Sequence, residues 1–91
     1  MADQSILASQ QLFCNAAMYR IRVSRLLPPE WSDRLQGMRM ETVENQEYGP
    51  VTELKGVLVD QAALMGVLTH LYEYRIALIS VEFCGFGSLD C

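Results

Sequence analysis

The chain has 91 residues, of which 51% are apolar and only 20% are charged. This length excludes two independent hydrophobic cores, and the apolar fraction excludes a disordered chain. The net charge of −4 argues against general nucleic-acid binding, which relies on an excess of Lys and Arg to replace phosphate counterions.

Residues 1–18 differ in composition from the rest of the chain, because glutamine, serine and asparagine dominate and no charge occurs after Asp3. A loose stripe of apolar residues at helical spacing favours a short helix here. We interpret this segment as an N-terminal extension, either a frayed terminus or a docking arm. The first five residues lack the basic start of a secretory signal, and the chain has no run of 18 apolar residues. The expected location is therefore the cytoplasm, with no membrane partner.

Strong alternation begins at Tyr19, where Tyr19, Ile21 and Val23 alternate with polar residues. This is the period of a half-buried strand. The Pro28-Pro29 pair ends the strand, because proline cannot donate to a sheet ladder. A helical turn is predicted over residues 29–35.

Two further alternating runs predict the second and third strands, at residues 38–43 and 51–59. A polar segment, residues 44–50, separates them and has the composition of a turn. Gly56 in the third run predicts a bulge or a close approach by a helix, because a glycine inside a strand has no side chain of its own to pack.

The most regular element is a helix that begins after Asp60, whose side chain is suited to cap the first free amides. Its apolar residues recur at helical spacing and form one stripe, Leu64, Val67, Leu68 and Leu71. Gly66, on the flank of this stripe, predicts a close approach of the helix to the sheet. Residues 76–83 are the fourth strand. Its predicted core side chains are Ala77, Ile79, Val81 and Phe83.

These elements predict a single α+β domain over residues 19–84, with an irregular tail at residues 85–91. The order β-β-β-α-β implies a meander of three strands and a crossover helix, which returns the fourth strand beside the first and parallel to it. The expected architecture is a four-stranded mixed sheet in the order 3-2-1-4, with one main helix on one face.

The chain resembles a family of small uncharacterised bacterial proteins. The resemblance rests on Tyr19-Arg-Ile-Arg-Val, Trp31-Ser-Asp-Arg-Leu, and Asp60-Gln-Ala-Ala-Leu-Met-Gly-Val-Leu with the strand ending Ile79-Ser-Val-Glu82. It covers residues 19–82 and implies no established activity. Family members tend to carry histidine where this chain has Met65, so a histidine site expected from the family does not carry over.

Groups suited to catalysis or metal binding are few, with one histidine, His70, and three cysteines at unrelated spacings. Cys14, Cys84 and Cys91 lack the short-spaced pairs of structural zinc sites, and we interpret them as reduced thiols. His70 lies near Glu73 at the spacing of an exposed helical pair, which favours a solvated histidine over a general base. The sequence predicts no catalytic residue, no metal and no cofactor.

Polar side chains gather on the sheet face predicted to point away from the helix. Such a face, flanked by two edge strands, is either a solvated surface or an interface. Trp31 is expected over the open end of the sheet, as packing or as an anchor for a partner. The interface candidates are Arg20, Arg22, Arg39, Glu41, Lys55, Leu78, Glu82 and Trp31.

The leading hypothesis is a non-enzymatic protein–protein interaction or regulatory module that self-associates into a homo-oligomer, because small domains often gain stability from a partner subunit. The first alternative is a small-molecule-binding domain with a pocket between the Trp31 turn, the helix start at Asp60 and the sheet. A weaker alternative is an enzyme that uses His70 or Cys84.

Overall fold

The computed structural model describes residues 16–86. Most of the predicted extension (residues 1–18) and of the predicted tail (residues 85–91) lies outside this range. The elements are β1 (Ala17–Val23), α1 (Trp31–Arg34), β2 (Arg39–Asn45), β3 (Gly49–Leu58), α2 (Gln61–Glu73) and β4 (Leu78–Phe86). The predicted α+β class, with four strands and one main helix in a single globule, is confirmed.

The four strands form one sheet in the order β2-β3-β1-β4, and every neighbouring pair is antiparallel. The predicted mixed sheet, with the order 3-2-1-4 and β4 parallel to β1, was therefore wrong. The error lies in the connection over residues 24–38, which is a crossover and not a hairpin, so β3 lies between β1 and β2. The resulting β-α-β-β-α-β order is that of the split βαβ, or ferredoxin-like, arrangement, with α1 reduced to four residues.

The apolar core lies on one face of the sheet, beneath α2. Alternate residues of the central strand β1 point into it, and Ile21 lies between Leu54 of β3 and Val81 of β4. The buried cluster consists of Ala17, Tyr19, Ile21, Val23, Leu35, Met38, Leu54, Leu58, Leu64, Val67, Leu71 and Ile76. Because successive side chains of a strand point to opposite faces, the intervening residues of β1 and β3 lie on the other side of the sheet.

The turn between β2 and β3 is held by an asparagine. The side-chain oxygen of Asn45 accepts hydrogen bonds from the backbone N–H groups of Glu47 and Tyr48, at 2.8 and 3.0 Å. Asparagine favours turns because it can bond to the backbone of the residues after it. This turn lies within the predicted polar segment and fixes the register of the β2–β3 hairpin.

Helix α2 begins after Asp60, as predicted. The Asp60 carboxylate accepts a hydrogen bond from the N–H of Ala63 at 2.9 Å, which satisfies one of the free amides at the helix start. The predicted stripe packs on the sheet, with its buried residues Leu64, Val67 and Leu71. The helix ends at Glu73, and Arg75 adopts a left-handed conformation with φ of 58° on the way to β4.

The two glycines singled out in the sequence have opposite surroundings. A Cβ on Gly56 would lie 3.3 Å from the Cα of Met38. The close approach predicted at Gly56 is therefore made by the chain that enters β2, and not by the helix. A Cβ on Gly66 would meet nothing within 4 Å, so the predicted close approach of the helix at Gly66 was wrong.

We expect Gly66→Ala to raise the free energy of unfolding by about 0.5–1 kcal/mol. The reason is that alanine restricts the unfolded chain more than glycine does, while the folded helix has room for the methyl group. Urea unfolding of the two proteins measures the difference. A lower midpoint for the variant would show that position 66 is packed against a neighbour.

Candidate interaction surfaces

Six of the predicted interface residues share the sheet face that points away from α2, which we call the open face. The strand register arranges them in two rows. One row is Arg39, Lys55, Arg20 and Glu82, and the next is Glu41, Glu53, Arg22 and Ser80. The other two candidates, Leu78 and Trp31, do not belong to these rows.

Arg22 forms an ion pair that belongs to the fold. Its Nε donates to a carboxylate oxygen of Glu53 at 2.8 Å, and the Glu53 side chain is only 7% exposed. A carboxylate removed from water needs a partner, because an unpaired buried charge is costly. A charge reversal at Arg22 would therefore disturb β1 and β3, and it is unsuitable as a probe of an interface.

Arg20 and Glu82 form a second ion pair, between β1 and β4. The hydrogen bond from Arg20 lowers the pKa of the Glu82 carboxyl group from its ordinary value, and the same bond raises the pKa of Arg20. Both side chains are partly exposed, so water screens their attraction. The one charged residue of β4, Glu82, is thus balanced by Arg20.

Arg39 and Lys55 have no such compensation. They face each other directly across β2 and β3, and Lys55 also faces Arg20 of β1. Within residues 16–86 neither Arg39 nor Lys55 forms an ion pair. Like charges directly opposite each other destabilise a sheet. The chain has only seven Lys and Arg residues, so this row is a local concentration of positive charge in an acidic protein.

The two edge strands differ in chemistry. The edge strand β2 carries exposed charges at Arg39, Glu41 and Glu44. The other edge strand, β4, has one charged residue, Glu82, which is already paired with Arg20. Over residues 78–85, the exposed large apolar side chains of β4 are Leu78, Val81 and Phe83, at 46%, 40% and 46% exposure.

The exposure of β4 corrects the prediction that Val81 and Phe83 belong to the core. Both lie on the helix side of the sheet, opposite Ile21 and Tyr19, and the ring of Phe83 packs edge-on against that of Tyr19 with centroids 5.8 Å apart. Helix α2 packs over β3 and β1. The outer side of β4 is therefore left as a half-exposed apolar strip.

Trp31 lies against the end of α2, where its ring centroid is 5.6 Å from that of His70 and 4.8 Å from that of Tyr74. The guanidinium group of Arg34 lies 5.7 and 5.9 Å from the ring centroids of Trp31 and Tyr74. The Nε2 atom of His70 is buried and has no hydrogen-bond partner in the described part of the chain. His70 is half buried and packs against Trp31 and Tyr74, so the predicted solvated histidine is enclosed at its Nε2 atom.

This placement also affects the predicted pocket. Trp31 lies at the end of α2 and Asp60 at its start, so the two do not line one groove. A cavity of about 490 Å³ lies instead beyond the helix end, lined by Tyr72, Glu73, Arg75, Ile76 and Ala77. A smaller one of about 130 Å³ is lined by Leu27, Pro29, Met40, Glu41, Thr42 and Thr52.

Among residues 16–86, no group of three or more His, Cys, Asp or Glu side chains is placed to bind a metal ion. Cys84 is disulfide-bonded, so the interpretation of all three cysteines as reduced thiols was wrong. No helix of the described chain is both long enough and apolar enough to cross a membrane.

Comparison with known proteins gives one finding. Residues 18–82 match the model of a family described as a domain of unknown function (DUF8691). No curated protein and no solved structure matches the chain. The resemblance to an uncharacterised family without an established activity, predicted for residues 19–82, is confirmed.

Proposed function

The chain belongs to this family, DUF8691, and from its surfaces we propose that it is a non-enzymatic protein–protein interaction or regulatory module that self-associates through β4. In the proposed homo-oligomer, the β4 strands of two copies pair in an antiparallel manner around a two-fold axis and join the two sheets. The single observation that carries this proposal is the half-exposed apolar edge of β4.

An edge strand offers unpaired N–H and C=O groups to another strand, and proteins usually protect such edges with charged side chains. Within residues 16–86, the β2 edge carries several exposed charges, whereas the β4 edge carries one charged side chain, the paired Glu82. A β4 strand of nine residues is also longer than a typical strand of about five or six residues. Strand addition at β4 is therefore favoured over strand addition at β2.

A two-fold arrangement places Val81 and Phe83 of the two copies near each other, because both lie next to Glu82 at the middle of the strand. An aromatic side chain buries about 150–250 Å² when it is fully enclosed. The predicted candidates Leu78 and Glu82 would lie in this interface. Since Glu82 is paired with Arg20 of its own chain, it brings little net charge to the axis.

A cytoplasmic location and a bacterial origin remain part of the proposal. They are supported by the composition and by the resemblance to bacterial proteins.

A second candidate function is small-molecule binding at the cavity beyond the end of α2. Its volume of about 490 Å³ lies within the range of about 300–1,000 Å³ that is typical of ligand pockets. Its walls combine an apolar floor at Ile76 with the charges of Glu73 and Arg75. These residues are mostly exposed, which makes this function the weaker candidate. An enzyme that uses His70 is less favoured still, because the buried Nε2 atom is out of reach of a substrate.

We expect light scattering of the full chain to give twice the monomer mass, and Val81→Lys to weaken the dimer by about 100-fold or more, because it brings two like charges together at an apolar interface. The matched control is Val59→Lys, at a valine that is 69% exposed and outside the sheet. The control is expected to dimerise normally. A monomeric wild-type chain at all concentrations, or equal dissociation of both variants, would contradict the proposal.

A further inference from the structure

We propose that the open face carries a binding site for a small carboxylate with an apolar body, with Arg39 and Lys55 holding the carboxylate and Val57 and Met18 contacting the apolar part. This site is separate from the β4 edge and does not depend on the self-association proposed above.

The positive end of the site is formed by Arg39 and Lys55, the two members of their row without an ion pair in the described part of the chain. Arg39 and Lys55 are direct cross-strand partners, and side chains in such pairs have Cβ atoms about 4.5–5.5 Å apart. Neither forms an ion pair in the described part of the chain. A carboxylate placed between them would accept charge-assisted hydrogen bonds from both and would remove their mutual repulsion.

The apolar end of the site is the next row on the same face. Val57 comes two residues after Lys55 and is directly opposite Met18 of β1. Residues two apart on a strand share a face and lie about 6.6 Å apart along it. Val57 is 41% exposed and Met18 is partly buried. A ligand with its carboxylate at Arg39 and Lys55 therefore reaches this apolar surface with a chain of a few carbon atoms.

Carboxylates next to Arg39 and Lys55, on the side away from Val57, limit the kind of anion that can bind. Glu41 and Glu53 form the row beyond Arg39 and Lys55, and Glu82 ends the positive row. Arg22 and Arg20 balance Glu53 and Glu82, so Glu41 is the carboxylate of this set without an ion pair in the described part of the chain. Together with the net charge of −4, it disfavours a polyanion such as nucleic acid. A ligand with a single negative charge and an apolar body can place the charge at Arg39 and Lys55 and the apolar part at Val57 and Met18.

The test is a titration of the full chain monitored by amide chemical shifts, with hexanoate, acetate and hexylammonium as probes. We expect hexanoate to bind saturably, with the largest shifts at Arg39, Lys55 and Val57. Acetate lacks the apolar body and is expected to bind at least about tenfold more weakly. A tenfold difference corresponds to about 1.4 kcal/mol, and the burial of three or four CH₂ groups contributes more than this. Hexylammonium carries the opposite charge and is expected to leave these amides unchanged.

Variants separate the two ends of the site. Arg39→Gln and Lys55→Gln are each expected to weaken hexanoate binding by about tenfold, which corresponds to the loss of one charge-assisted hydrogen bond. Val57→Ser is expected to weaken hexanoate binding but not acetate binding. Arg25→Gln is the matched control, because Arg25 is an exposed arginine outside the strands, and it is expected to bind like the wild type.

The proposal is overturned if hexanoate does not saturate, if hexylammonium shifts the same amides, or if Arg39→Gln and Lys55→Gln bind like the wild type. Binding of inorganic phosphate as tight as that of hexanoate would also overturn it, because the apolar body would then have no role. The Val81→Lys variant is expected to bind hexanoate normally, so failure of this site and failure of the dimer are distinguishable.

Discussion

Replacing Arg22 with alanine is expected to lower the free energy of unfolding by about 1–3 kcal/mol, the usual cost of leaving a buried acceptor without its partner. The Glu53 side chain is nearly inaccessible to water, and its carboxylate receives a hydrogen bond from Arg22 Nε at 2.8 Å. Without Arg22, the charge of Glu53 must either remain unpaired or draw water into the sheet. Chemical unfolding of the wild type and Arg22→Ala measures this loss.

Two variants separate the unpaired charge from other causes. Arg20→Ala removes a similar side chain from the same strand and face, but its partner Glu82 is much more exposed, so a smaller loss is expected. Arg22→Leu combined with Glu53→Leu removes both charges and is expected to recover most of the stability, since apolar pairs often replace buried ion pairs without loss. Equal losses in Arg20→Ala and Arg22→Ala would show that burial of Glu53 is unimportant.

Gly56→Val is expected to cost about 1–3 kcal/mol of folding free energy, as overpacking of a core does. The first added carbon would lie 3.3 Å from the Cα of Met38, and the two methyl groups of valine increase the crowding. Because the contact is with backbone, no change of side-chain rotamer can relieve it. Valine has a higher preference for strands than glycine. Strand preference alone would therefore predict a more stable variant, whereas the contact with Met38 predicts a less stable one.

The matched control is Val57→Ile, one residue along the same strand and on the open face. It adds a methylene where the side chain is half exposed, so little change in the urea midpoint is expected. If Gly56→Val unfolds at the wild-type midpoint, the segment that enters β2 must be free to move away from β3.

The elements that could be predicted from the sequence are those decided by neighbours along the chain. The start of α2 at Asp60 depends on one side chain and an amide three residues later, and its buried stripe depends on helical spacing alone. The faces of β1 are likewise determined by simple alternation. These interactions are local, so the sequence pattern contains them.

Strand order could not be predicted in the same way, because pairing is decided by packing between distant segments. One available signal was missed: residues 24–38 are far longer than the hairpin loops of about two to five residues. The segment between β2 and β3 is short enough for a hairpin, and there the pairing is the local one. A connection as long as residues 24–38 favours a crossover over a meander.

The candidate surfaces were predicted in part for the same reason. Alternation placed Arg20, Arg22, Lys55 and their neighbours on one face, which the register reproduces. It gave no measure of burial, so the enclosed Glu53 and the exposed Val81 were both missed. His70 had a local signal, since Tyr74 lies one helical turn after it, but its contact with Trp31 joins distant parts of the chain.

The central position of β1 has a consequence for synthesis on the ribosome. β1 is among the first described segments to emerge, yet one of its two partners is β4, and Ala17 pairs with Phe86. Until residues 78–86 have emerged, the nascent chain holds β1 with one side of its backbone unpaired and part of its apolar surface uncovered. Such long-range pairing slows folding and leaves an intermediate open to aggregation. The completed sheet can therefore form only at the end of translation of this domain, and not step by step as its strands appear.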